Sequence, residues 1–298
     1  MSGPEPFLPG FEIRRIAGDG AAINTATAGQ GPALLLLHGH PHTMVIWRKV
    51  AQAYVDAGFS VVITDLRGYG DSDKPPGGEN HVAYSKRAMA RDQVAVMRAL
   101  GHDRFSIIGH DRGGRVAHRL VLDHPDAVER LSVIDIAPTA TMYAGTNMEF
   151  ARRYFWWFFL IQDAPLPERM IQADPEFFLR THLDTQLADK TAVDAACFAE
   201  YLRAYLLPGT IHAICEDYRA AAAIDLDHDA ADAGTRVASP LQALWSEKGT
   251  VGTLYDVLET WRDKAHTVEG EALPCGHCLQ EELPDLFIAK TLAFLQRP

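Results

Sequence analysis

Four short runs are apolar almost without interruption: Ala33 to His38, Ser60 to Asp65, Phe105 to Gly109 and Leu131 to Asp135. A half-exposed strand alternates apolar and polar side chains, whereas a strand buried on both faces does not, so these runs predict parallel strands in a sheet covered on either side by helices. Helical patterns fit Thr43 to Ala57, Ser85 to Leu100 and Arg112 to His124. The order strand, helix, strand, helix is that of an α/β fold with a mostly parallel central sheet.

The pattern changes after Asp135. From about Thr139 to Ala233 the chain carries several helical segments, an aromatic cluster from Tyr154 to Phe159 and no clear strand, which reads as an inserted helical cap. Strand and helix then resume with Pro240 to Ser246, a helix near Thr253 to Ala265, a strand at His266 to Glu269 and a last helix from Glu281 to Phe294. The expected organisation is a first part of the core over 1–137, a cap over 138–236 and a second part of the core over 237–298.

At 298 residues and 47% hydrophobic content the chain is long enough for one large core and a smaller appended unit. Its net charge of −11 argues against nucleic acid, since no basic surplus exists to displace condensed counterions. An anionic small molecule remains compatible if positive charge is concentrated locally. Four cysteines are too sparse for a disulfide framework, and Cys275-Gly-His-Cys278 has no second pair to make a zinc site. Met1 to Gly10 lacks the charged start and apolar stretch of a signal peptide, and no run of membrane-spanning length occurs. A cytoplasmic protein is expected.

The stretch Phe105-Ser-Ile-Ile-Gly-His-Asp111-Arg-Gly-Gly-Arg115 is an apolar strand, a glycine-flanked turn and the start of a helix. This is the layout of a nucleophile elbow, in which a sharp turn exposes one side chain at the end of a strand, with Asp111 where serine usually stands. A carboxylate, with a reference pKa of about 4, is ionised at neutral pH and needs no base to attack. Its natural target is a saturated carbon bearing a leaving group, because attack on an acyl carbonyl would give a mixed anhydride. The resulting ester on the enzyme must be hydrolysed by activated water, which calls for an acid and a histidine later in the chain. Asp135, ending the next strand, and His277, in the loop before the last helix, fill those places. Asp225, Asp227, Asp232 and Asp256 are weaker competitors, since their segments do not put them at the sheet's C-terminal edge.

His38-Gly-His40-Pro-His42 follows a strand, but its alternating histidines lack acidic neighbours, and no metal is expected. It reads instead as the loop opposite the elbow, where the backbone N–H groups of His40 and Arg112 would hold the oxyanion formed during ester hydrolysis. Arg112 and Arg115 lie three residues apart at a helix start, against the dipole preference for anions there. A carboxylate clamp explains them, since two guanidinium forks offset the repulsion between Asp111 and an anionic substrate.

With these residues in view, Gly109 to Arg115, His38 to Pro41, Asp65 to Ser72, Trp157 to Gln162, Cys215 to Arg219 and Pro274 to His277 resemble the haloacetate dehalogenases, especially the fluoroacetate-cleaving group, over essentially the whole chain. The resemblance implies an α/β-hydrolase fold, attack by Asp111 on Cα, substrate carboxylate on Arg112 and Arg115, and water activation by His277 with Asp135. It also implies a homodimer, no cofactor, and a halide cradle of a histidine, a tryptophan and a tyrosine. Trp157 and Tyr218 match the last two, but Trp156 stands where the histidine is expected, so chloroacetate is expected to be a better substrate than fluoroacetate. The alternative is an epoxide hydrolase with the same nucleophile and tyrosine donors from among Tyr143, Tyr154 and Tyr218. A receptor binding its ligand without turnover is a more distant third.

Overall fold

In the computed structural model, which describes residue 3 and residues 5–297, eight strands form one sheet: β1 (Glu12–Ala17), β2 (Ala22–Ala28), β3 (Ala33–Leu37), β4 (Ser60–Thr64), β5 (Phe105–His110), β6 (Val128–Ile134), β7 (Leu241–Ser246) and β8 (Val268–Leu273). Residues 1, 2 and 4 of the stretch read above for a targeting signal lie outside the described residues. The spatial order is β1-β2-β4-β3-β5-β6-β7-β8. β2 pairs antiparallel with β1 and β4, and every other neighbour is parallel. From β3 the chain steps outward to β4, then crosses back to β5 on β3's other side. Such a switch point leaves a crevice beyond the strand ends, the usual place for a ligand in an open α/β sheet.

The uninterrupted apolar runs are explained by the two faces. Leu35 and Leu37 join one core with Val62, Ile107, Leu131 and Val133, while Leu34 and Leu36 join another with Val61, Ile63, Ile108 and Ile134. Alternate side chains of one strand thus enter different cores, and a polar one needs a buried partner, as Thr64 has in Gln93 and Ser132 in Gln242. Helices α2 (Lys86–Ala99) and α3 (Arg112–Asp123) cover the first face. Helices α1 (Ala51–Asp56) and, at the end of the chain, Pro284–Leu295 cover the second. Ser85 starts α2 by accepting a hydrogen bond from the Ala88 N–H at 3.1 Å, which satisfies one of the first-turn donors.

Between β6 and β7 the chain forms helices α4 (Thr139–Ala144), α5 (Met148–Arg153), α6 (Phe155–Phe159), α7 (Leu166–Ala173), α8 (Pro175–Gln186), α9 (Ala195–Tyr205), α10 (Thr210–Ala222) and α11 (Ile224–Ala231). The remainder comprises α12 (Thr250–Leu254), α13 (Val257–Arg262), α14 (Leu279–Glu282) and α15 (Pro284–Leu295). Among the described residues no helix is long and apolar enough to cross a membrane, and all four cysteines are free and buried.

Several expected elements differ in detail. The helix from Thr43 is a 3-10 turn, Met44–Trp47, followed by α1. The helix near Thr253 is split, because Tyr255 and Asp256 are extended and the Asp256 carboxylate caps α13 at the Glu259 N–H, 3.0 Å away. The last helix breaks at Leu283, since Pro284 cannot continue a helix but opens one well. β8 begins two residues later than expected and runs to Leu273. β1 and β2 were not anticipated at all. β1 is mostly exposed, and β2 is built of Ala, Thr and Asn apart from Ile23, so neither shows an apolar run.

Gly113 marks the tightest approach of α3 to the sheet. A Cβ there would lie 2.4 Å from the His38 carbonyl oxygen and 2.5 Å from that of Leu37, and backbone cannot step aside as a side chain can. Gly113→Ala is therefore expected to lower stability by about 1–3 kcal/mol, read as a lower urea midpoint. An unchanged midpoint would show that β3 yields.

Candidate functional site

Asp111 follows β5 and precedes α3 with φ 47° and ψ −113°, a conformation costly for any residue with a side chain. The turn is held by the Asp111 N–H donating to the Ile134 carbonyl at 3.2 Å and by the Arg115 N–H donating to the Asp111 carbonyl at 3.2 Å. Its Oδ1 accepts from the His40 N–H at 3.0 Å. Gly39 permits this approach, because a Cβ there would sit 2.4 Å from that of Asp111. Arg112 is the first residue of α3, where helix N–H groups have no intrahelical partner.

Asp135 follows β6, also at positive φ, 51°. Its Oδ1 accepts from the Ser246 N–H at 2.8 Å, and its Oδ2 lies 2.5 Å from Nδ1 of His277. The opposite ring nitrogen of His277, Nε2, is buried and makes no hydrogen bond. Asp111, Asp135 and His277 line one cavity of about 240 Å³, together with Tyr154, Trp156 and Tyr218. Three of the four competing acids are engaged elsewhere: Asp225 accepts from the Lys86 N–H, Asp232 pairs with Arg119 and Arg87, and Asp256 caps α13; Asp227 does not line the cavity.

Charge sets the protonation states. Burial alone would raise the Asp111 pKa, but His277, Arg115, His110 and Arg112 together hold its carboxyl below the usual carboxylate range. Burial alone would lower that of His277, yet the hydrogen bond and charge of Asp135, with Asp111 behind it, raise it above the ordinary 6.5. His40 is pushed down to about 3, chiefly by burial, so its ring is neutral.

Arg112 and Arg115 are buried, and neither is among the side chains lining the cavity. Arg112 lies 4.1 Å from the centre of the Tyr218 ring. Its Nε and Nη2 each donate to the Asp217 carboxylate at 2.8 Å, leaving Nη1 buried without a partner. Asp217 also accepts from Tyr69 at 2.7 Å and pairs with Lys86. Arg115 differs: among the described residues it hydrogen-bonds no carboxylate. Its Nη1 donates to the Ala137 carbonyl and Thr139 hydroxyl at 3.1 and 3.0 Å, Nη2 faces the Met142 sulfur, and Nε is unpartnered. Burial accordingly depresses its pKa, only partly offset by Asp111.

Trp156 and Tyr218 reach the cavity wall, whereas Trp157 is buried behind it, 4.8 Å from the Arg115 guanidinium. His182, on α8, was not anticipated. Its ring packs edge-on to Trp156 at 4.4 Å and to His40 at 4.8 Å, and its Nδ1 is buried without a partner. A lone histidine in a helix carries no sequence signal for such a place. Asp217 was missed although it lies within the stretch Cys215 to Arg219 already singled out. Among the described residues no group of three or more His, Cys, Asp or Glu is arranged to hold a metal ion.

Residues 32–284 match the alpha/beta hydrolase fold family. The chain is 41% identical to fluoroacetate dehalogenase from Burkholderia sp, over 94% of this chain and 92% of that protein. It is 34% identical to soluble epoxide hydrolase from Corynebacterium sp. (strain C12), over 93% of this chain and 94% of that one. A crystal structure from Salmonella enterica, provisionally named an acyltransferase, superposes with a TM-score of 0.96 at 57% identity, covering 98% of this chain and 97% of the other. Sequence and architecture agree that the chain belongs to the α/β-hydrolase family.

Proposed function

We propose that this protein is a hydrolytic dehalogenase converting a haloacetate or small 2-haloacid to the 2-hydroxy acid. The observation that carries the reading is an ionised carboxylate at the elbow beside two guanidinium groups that keep unpartnered N–H groups in a buried setting. A buried unsatisfied donor is costly; neither guanidinium lines the cavity, so in this reading the substrate carboxylate reaches past the cavity wall to supply the missing acceptor at Nε of Arg115 and Nη1 of Arg112. Arg115 is the stronger anchor, since the charge of Arg112 is already met by Asp217.

In the first half-reaction an Asp111 oxygen attacks Cα. The carbon–halogen bond breaks, and halide leaves toward Trp156, Trp157 and Tyr218. In the second, Nε2 of His277 takes a proton from water, whose oxygen attacks the ester carbonyl. The N–H groups of His40 and Arg112 hold the resulting oxyanion; collapse expels the alkoxide, which takes the proton back from His277 to give the hydroxy acid, and the Asp111 carboxyl then loses its proton to solvent by way of His277. Asp135 fixes the ring of His277 and balances its transient charge. Acyl transfer fits this nucleophile poorly, because it would proceed through a mixed anhydride. The chain between β6 and β7 acts as a cap in this scheme, and the enzyme works as a cytoplasmic homodimer without a cofactor.

Epoxide opening is the second reading. Tyr154 and Tyr218 both line the cavity, and a paired tyrosine donor would protonate an opening epoxide oxygen. Halide release from chloroacetate without turnover of styrene oxide supports dehalogenation. The reverse outcome supports the alternative.

His277→Asn should divide the half-reactions: one equivalent of halide appears and a carboxymethyl adduct stays on Asp111, visible by mass spectrometry. Asp111→Asn should release none in an immediate assay. A variant at Asp111 with normal single-turnover halide release would exclude it as nucleophile.

The pH dependence follows from His277. Ester hydrolysis needs its neutral form, so the hydrolysis rate should fall with decreasing pH; because the ester removes the Asp111 charge that helps raise the His277 pKa, the midpoint should lie below that of the free enzyme. His277→Asn should lack this limb.

Asp217→Asn leaves the Arg112 charge without its buried carboxylate and should cost about 3–5 kcal/mol of stability in thermal or urea unfolding. Loss of less than about 1 kcal/mol would mean that Arg112 finds another partner. Trp156→His should raise the fluoroacetate-to-chloroacetate ratio of kcat/KM by restoring a small donor to the cradle. A folded variant with an unchanged ratio would remove Trp156 as the determinant of halogen preference.

A further inference from the structure

The loop bearing His277 is held from two directions. From the core, Ser246 Oγ donates to the Cys275 carbonyl at 2.6 Å and His110 Nε2 to the His277 carbonyl at 3.0 Å. From the cap, the carbonyl of Gln186, the last residue of α8, accepts the His277 N–H at 2.8 Å. Glu282, at the end of α14, completes the attachment. Its Oε2 alone accepts the N–H groups of Ala188 and Asp189, both at 2.9 Å, and of Gly276, at 3.1 Å. The first two belong to the cap and the third is the residue before His277. Gly276 makes the approach possible, because a Cβ there would lie 2.5 Å from both the Ala188 nitrogen and the Gln186 carbonyl oxygen. The cap segment involved faces the chemistry directly, since Gln186, Leu187 and Ala188 line the same cavity as Asp111.

We propose that Glu282 is a positioning residue, a carboxylate strap that ties the cap segment after α8 to the His277 loop and thereby holds the base over the ester. This deepens the aspartyl-ester reading above and rests on it. Three N–H groups converging on one charged oxygen fix both partners more rigidly than neutral bonds would. Displacement of the leaving group does not use His277, whereas hydrolysis needs its ring aimed within a fraction of an ångström. The strap therefore acts on the second half-reaction and not on the first.

The test compares the two half-reactions on the full-length enzyme by rapid-quench halide release and by mass spectrometry of the Asp111 adduct. Glu282→Gln keeps the shape but removes the charge. It should slow ester hydrolysis about 10- to 100-fold, so that the adduct accumulates, while single-turnover halide release stays within about twofold of the parent. Glu282→Asp withdraws the carboxylate by one methylene and should give the same division at smaller amplitude, which keeps the test open if the glutamine variant folds poorly. Lys49→Met is the control. It cuts Lys49 from the Ala192 and Glu281 carbonyls, both at 2.7 Å, a second link between core and cap that does not touch Gly276 or His277. It should leave both half-reactions at parental rates. The proposal is overturned if the Glu282 variants slow both steps alike or neither, or if Lys49→Met reproduces their effect. Failure of the parent to release halide would instead count against dehalogenation. The same comparison is then made with styrene oxide, whose opening also leaves an ester on Asp111.

Discussion

An ionised carboxylate has to be kept in a nearly dry crevice, and the arrangement around Asp111 follows from that requirement. Water is replaced by the His40 N–H on one oxygen and by the positive fields of His277, Arg115 and Arg112. Compensating one buried charge creates the need to compensate the next. Arg112 is met by Asp217, and Asp217 by Lys86 and the Tyr69 hydroxyl. Signs alternate from the elbow through α3 into α10 and back to α2, so this run of charges links the helices between β6 and β7 to the sheet and α2. Such a chain adds little net stability, because desolvation offsets attraction. Its consequence is position: Arg112 is pinned by two hydrogen bonds to one carboxylate, and Tyr218 is laid over it at the cavity wall.

Arg115 is the exception in this alternation. It spends one donor group on the Ala137 carbonyl and the Thr139 hydroxyl and has no carboxylate to hydrogen-bond among the described residues. On the proposed dehalogenase reading, the balance is completed by an anion arriving with the substrate. This is the physical distinction between the two readings of the cavity. A neutral epoxide would leave Arg115 as it is, whereas a haloacid would satisfy it.

What the chain discloses before folding depends on whether a residue's role is local. The strands β3 to β6 were legible because burial on both faces forces an uninterrupted apolar run, and the elbow because a strained turn requires glycines at fixed offsets from Asp111. The order of Asp111, Asp135 and His277 along the chain was equally legible, since each ends a strand or opens a loop at one edge of the sheet. β1 and β2 were not, because a half-exposed antiparallel pair tolerates arginine, threonine and asparagine. Asp217, His182 and Glu282 were illegible for another reason. Each acts on a partner at least several tens of residues away in the chain, and nothing in their own neighbourhood distinguishes a buried bridging carboxylate from a solvated one.

Trp156 and His182 carry this point into specificity. Judged along the chain, an indole replaces the imidazole that the dehalogenase resemblance leads one to expect. Judged in space, an imidazole is present after all, brought by α8 against the edge of that indole and sharing its other side with His40. Burial lowers the pKa of His182 well below the ordinary value, so its ring is neutral. A neutral imidazole retains one N–H, and Nδ1 is the nitrogen without a partner, while Nε2 lies 3.0 Å from the Gln186 side-chain amide nitrogen. On the dehalogenase reading, an imidazole stands behind the cradle rather than in it, against a ring that is itself a single N–H donor. A large, polarisable chloride fits a cradle of dispersed donors, whereas fluoride, with its charge concentrated in a small volume, gains most from short hydrogen bonds that converge on it. On the proposed dehalogenase reading, a donor behind the wall rather than in it favours chloride over fluoride while leaving Asp111, Asp135 and His277 as they are.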